Sequence, residues 1–73
     1  MPDYPVVSGA EVVRALERLG FVQVRQRGSQ VVMRLGEQGC VVPLQREIKR
    51  GTLAGIVRQA GVDPTHFLAA LRQ

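Results

Sequence analysis

The chain has 73 residues, 45% of them hydrophobic, and a single cysteine, which excludes a disordered chain, an internal disulfide and a cysteine-built metal site. At this length it makes one domain, residues 1–73, that buries only about 60% of its unfolded surface, so a partner or a second copy in a homodimer would support a thin core. Ten Lys and Arg against six Asp and Glu give a formal charge of +4, a balance that suits a polyanionic partner. Nine of the ten cations are arginine, whose planar fork matches phosphate. A GC-rich coding sequence would supply arginine equally well. Residues 1–8 lack the basic start and apolar stretch of a leader, and no apolar run approaches the ~20 residues of a membrane span. No membrane association and a cytoplasmic location are therefore expected.

Ser8-Gly9-Ala10-Glu11 reads as a capping box, in which the Ser8 hydroxyl accepts from the Glu11 N–H and the Glu11 carboxylate reaches back. Val12, Val13, Leu16 and Leu19 follow at helical spacing and Gly20 supplies a left-handed stop, so a first helix is predicted over 9–19. Tyr4, ahead of it, is expected near the surface, packing at the terminus or stacking on a base. Residues 21–26 then alternate Val22 and Val24 against Gln23 and Arg25, a strand. A turn at Arg27-Gly28-Ser29 leads to a second strand over 30–35, with Val31, Met33 and Leu35 on one face and Gln30, Val32 and Arg34 on the other. Gly36-Glu37-Gln38-Gly39 is a second hairpin turn. Cys40-Val41-Val42 is a third strand, stopped by Pro43, which cannot donate to a central ladder.

A polar, basic connection over 44–51 carries Arg46, Lys49 and Arg50. A second helix follows with Leu53, Ile56, Val57 and Ala60 at i, i+3, i+4 and i+7, closing at Gly61. Asp63 as cap and Pro64 at the first helical position open a short third helix with an apolar stripe of Phe67, Leu68 and Leu71. The order is α-β-β-β-α-α. Helices and sheet each have one apolar face, so the expected fold is α+β, with the helices packed on one face of a three-stranded antiparallel sheet and the other face open.

If Val24, Val31 and Met33 face inward, then Arg25, Arg27 and Arg34 share the open face or its rim with Gln30. No acid lies between Gly20 and Leu35, which favours a phosphate-binding surface over the solvated face that any alternating strand produces. Arg46, Lys49 and Arg50 precede a helix start, where free N–H groups and the dipole attract anions. Glu47 dilutes that charge, and a flexible basic loop would look the same. His66 is the only histidine. It falls in the first turn of the last helix with no ligand-type neighbour at the right spacing, so it reads as a surface residue.

This layout resembles the double-stranded-RNA-binding domain, and the ordered motifs resemble the HicA toxin family, small ribonucleases of bacterial toxin–antitoxin pairs. The matching stretches are Ser8-Gly9, Leu19-Gly20-Phe21, Arg25-Gln26-Arg27-Gly28-Ser29, Val41-Val42-Pro43, and Lys49-Arg50-Gly51-Thr52-Leu53 running on through Ile56 to Gln59-Ala60-Gly61. The resemblance implies binding of structured RNA, mRNA in the family, with Arg25, Arg27, Gly28, Ser29, Arg34, Arg46, Lys49 and Arg50 as the contacting set. It also implies metal-independent cleavage without a cofactor, and a HicB-like antitoxin partner that covers the active face.

In the family the turn reads Gly-Ser-His. Gln30 stands at the histidine's place here. Histidine moves protons near neutral pH, whereas a glutamine amide only donates and accepts hydrogen bonds. Three functions stay open from sequence: a ribonuclease using other groups, an RNA binder that does not cut, and an interaction module for an acidic partner such as the antitoxin.

Overall fold

A computed structural model describes residues 3–73. Its elements are α1 (Gly9–Arg18), β1 (Val22–Arg27), β2 (Gln30–Leu35), β3 (Gln38–Pro43), α2 (Arg50–Ala60) and α3 (Pro64–Leu71). The order is the one the sequence predicts, and the three strands form one antiparallel sheet in the order β1-β2-β3.

The predicted capping box is formed: Glu11 N–H donates to Ser8 Oγ at 3.1 Å, and Ser8 N–H donates to Glu11 Oε1 at 3.0 Å. These bonds hold the Glu11 carboxyl below its usual range. Asp63 caps α3 through the Thr65 N–H at 2.8 Å. Both hairpins turn on two residues, Gly28-Ser29 and Gly36-Glu37, with the glycine first and at φ +56° and +61°. That is the pattern of a type II′ turn, whose twist matches the flanking strands.

The core lies between the helices and the inner sheet face. Val31, Met33, Cys40 and Val42 point from the sheet toward Val12, Leu16, Leu53, Val57 and Phe67, all of them buried. α1 and α3 pack together, and Arg18 donates to the Ala70 carbonyl at 2.8 Å. Burial pushes the Cys40 thiol up to about 11, so it stays protonated and packs as a small apolar group.

Several expectations need correction. Val24 does not face inward. The register shifts between Gln23 and Arg25, a β-bulge that leaves Val24 without a cross-strand partner and 52% exposed. Leu35 has the inward parity but is also exposed, at 39%. The third strand begins at Gln38 rather than residue 40, since the turn needs only two residues. It also includes Pro43, which sits at an edge position where no ladder donor is required. Tyr4 is buried at 8% exposure and meets Phe67 edge-on, with ring centroids 6.4 Å apart, so it packs rather than stacks on a ligand. α2 starts at Arg50, inside the stretch 44–51 expected to be connection.

The connection after β3 is also less loose than its polar composition suggested. Ile48 is fully buried and bridges to Val7, its N–H donating to the Val7 carbonyl at 2.7 Å. Gly9 N–H donates to the Gln45 carbonyl at 2.8 Å. A Cβ on Gly9 would collide with the Pro43 carbonyl oxygen and lie 2.8 Å from Leu44 Cα. Glycine at the first position of α1 is thus set by backbone packing against the end of β3.

Candidate functional site

The cross-strand register fixes which side chains share the open face, because directly opposed residues point the same way. Three rows cross the sheet. Arg27, Gln30 and Pro43 form the row next to the Gly28-Ser29 turn. Arg25, Val32 and Val41 form the middle row. Val22, Arg34 and Gly39 form the row toward the other end. The bulge at Val24 makes this possible: it changes the phase of β1, so that Val22 and Arg25 lie on one face although they are three residues apart. Gln23 and Gln26 consequently oppose Met33 and Val31 on the inner side.

Arg25, Arg27 and Gln30 are therefore neighbours on one exposed surface. Arg34 is not among them. It lies four steps along β2 from Gln30, about 13 Å at the usual rise per residue. Its guanidinium donates to the Gly36 carbonyl at 3.4 Å, at the opposite hairpin. The sequence could have shown this, since Gly28-Ser29 and Gly36-Glu37 mark opposite ends of β2.

The basic connection reaches the Gln30 end. Leu44 N–H donates to the Ser29 carbonyl at 2.6 Å, tying the connection to the first turn. α2 runs antiparallel to β3: Gln59 Oε1 accepts from the Val41 N–H at 3.2 Å, and Gln38 Nε2 donates to the Gly61 carbonyl at 3.1 Å. Its other end, with Lys49 and Arg50, lies toward Pro43 and hence toward Gln30. Lys49 is the N-cap and makes no side-chain capping bond, and no acid lies in the first turn. Cations at the positive end of a helix dipole cost about 0.3–1 kcal/mol each, which a bound anion would offset.

The tip itself is held by local bonds, Gln26 Nε2 donating to the Gly28 carbonyl at 3.2 Å. Gln30, Arg25, Arg27, Arg46, Lys49 and Arg50 are all exposed. His66 is exposed on α3, on an element that packs against α1 rather than at the turn. Among the described residues no group of three or more His, Cys, Asp or Glu could hold a metal ion. No helix of the described residues is long and apolar enough to cross a membrane.

Sequence reasoning missed the apolar centre of the open face. Val32 and Val41 lie side by side in the middle row, with Val22 in the adjoining row, framed by the three arginines. Val32 and Val41 could have been found from alternation alone, but Val22 could not, because a bulge has no signature in this sequence.

No curated protein matches this chain. The family model described as the HicA toxin of bacterial toxin–antitoxin systems matches residues 9–62, a span that includes the capped first helix, the whole sheet, the Gly28-Ser29-Gln30 tip and α2. The chain belongs to the HicA toxin family.

Proposed function

We propose that this protein binds structured RNA through the end of the open sheet face that carries Arg25, Arg27 and Gln30, and that it does not cut the RNA it holds. The observation that carries this reading is Arg25 and Arg27 beside Gln30 on the open face, with the start of the basic connection tied to the same turn by the Leu44 N–H and Ser29 C=O, and with α2 opening without a side-chain cap. Gly28 and Ser29 supply the turn that presents Gln30. Arginines and free N–H groups there suit phosphate oxygens, and a fold like the double-stranded-RNA-binding domain would read duplex shape rather than sequence. Arg34 belongs to a second contact further along the face. Family membership supports the toxin–antitoxin setting, a cytoplasmic place of action and a HicB-like antitoxin as the natural partner.

Gln30 occupies the family's histidine position and can hold a phosphate or ribose oxygen by hydrogen bonding, but its amide neither takes up nor releases a proton near neutral pH. Loss of general acid–base help typically costs about 10²–10⁴ in rate. The test is cleavage and binding of a labelled RNA hairpin by the native protein beside Gln30→His. The native protein should bind without cutting, and Gln30→His should cut at least about a hundredfold faster at similar affinity. Native cleavage equal to that of Gln30→His would overturn the reading. Arg25→Ala with Arg27→Ala should also lower the slope of log affinity against log salt by roughly 1–2, as two lost phosphate contacts require. An unchanged slope would remove the sheet face from the RNA site.

A further inference from the structure

Among the described residues, the β3 edge of the sheet is covered and the β1 edge is bare. On the β3 side, Leu35–Gln38 closes a two-residue loop, so alternate residues from Gly39 onward turn their main-chain groups away from β2. The N–H of Val41 points to that edge and is taken by Gln59. Pro43, two residues on, has no N–H to offer. α2 packs alongside. On the β1 side, Arg27–Gln30 closes the other loop, and the same parity turns the N–H and C=O of Gln26 outward. All six residues of β1 are exposed.

A bare strand edge pairs readily with another strand, and the side chains beside it select which one. Arg25 and Arg27 flank this edge on the outer face, and Val22 and Val24 stand 58% and 52% exposed. Pairing β1 with β1 of a second copy would bring arginines up against arginines, which like-charge repulsion opposes. No acid lies in the chain between Gly20 and Leu35, and on the inner side of β1 Glu17 of α1 is offset by Arg14 beside it, so the outer-face arginines set the sign of this edge.

We propose that the free edge of β1 is the docking site for an extended, acidic strand of a partner protein. It pairs along Arg25–Arg27, where the ladder is regular, and stops at the Val24 bulge. Adjacent strands lie about 4.8 Å apart, so carboxylates on the added strand reach Arg25 and Arg27 and occupy the cations offered to RNA phosphates. This consequence, that strand addition displaces RNA, rests on the RNA reading above. The docking itself does not.

The experiment titrates the full chain with a short, end-blocked peptide alternating valine and glutamate, and with its valine–lysine counterpart, following amide hydrogen exchange by NMR. The glutamate peptide should protect the Gln26 N–H, leave the Val41 N–H unchanged and displace a bound RNA hairpin; the lysine peptide should do none of these. Gln26→Pro removes the edge donor at a position where proline is tolerated. It should weaken peptide binding about tenfold, with Val41 protection reporting that the sheet is intact. Arg25→Glu should exchange the preference, losing the glutamate peptide and gaining the lysine one. Equal binding of both peptides, protection that leaves out Gln26, or a dimer in which Gln26 is already protected would each overturn the proposal. RNA binding with an unprotected Gln26 removes the docking edge alone, whereas Gln26 protection in a protein that binds no RNA removes the RNA reading alone.

Discussion

The two outer strands have the same length and the same neighbour, β2, but they divide the work of the sheet. β3 buries Cys40 and Val42, has its outward N–H at Val41 bonded by Gln59, and ends on a proline held against Gly9. β1 buries none of its six residues, breaks its ladder at Val24 and presents Arg25 and Arg27 to solvent. Stability in a domain this small is concentrated where side chains leave water, and β3 is on that side. β1 contributes ladder hydrogen bonds and little apolar burial, so its side chains are free to suit a partner.

This division can be broken from the β3 side by variants of graded cost. Ile48→Ala, which empties a fully buried site in the strap bridged to Val7, should lose about 2–5 kcal/mol by denaturant unfolding. Val24→Ala on the bulge should stay within about 0.5 kcal/mol. Equal losses at the two positions would mean that β1 is part of the core after all. Gly9→Ala forces a methyl group into the Pro43–Leu44 backbone and should cost about 1–3 kcal/mol; a neutral result would show that the end of β3 yields easily.

Smaller effects sharpen the contrast. Gln59→Ala frees the Val41 N–H and should cost about 0.5–1.5 kcal/mol while speeding exchange at that amide. If Val41 exchange stays slow, something other than Gln59 closes the edge. The smallest effect concerns acid. The folded-state pKa of Glu11 is lowered, chiefly by the Ser8 backbone hydrogen bond and then by the Ser8 hydroxyl. Its contribution to α1 is therefore present above the unfolded value and lost as pH falls through the folded one, in the window below about 4.5. Ser8→Ala should flatten the fall in thermal midpoint over that window, and an unchanged pH profile would mean that the capping box does not control it.

Much of this fold is legible residue by residue. The capping box, the glycines at 20, 28 and 61 and the Asp63-Pro64 start all act through bonds within four residues, and each forms as predicted. The clustering of cations near Gln30 was legible in part: Arg25 and Arg27 lie on the open face as expected, but the premise that Val24 points inward fails. Two errors partly cancelled there, since the bulge reverses the phase of Val22 and still leaves Arg25 outward. Ile48 and Tyr4 were unreadable as buried residues. Ile48 is a single apolar side chain in the polar run 45–50, and Tyr4 precedes the first helix in a stretch without helical or strand spacing, so periodicity registers neither.

What the sequence determined by itself was local: which segments are helix or strand, where each turn falls, and that Gln30 directly follows the Gly28-Ser29 turn. Turn chemistry, capping and alternation need only near neighbours in the chain. What the tertiary structure decided was which side chains meet: that the bulge brings Val22 onto the face of Arg25, that the connection after β3 is tied to the Ser29 turn, and that among the described residues one sheet edge is covered while the other is bare. Those facts depend on ladder register and on the direction in which α2 crosses β3. Both are fixed by packing between residues distant in the chain, so no local window of sequence contains them.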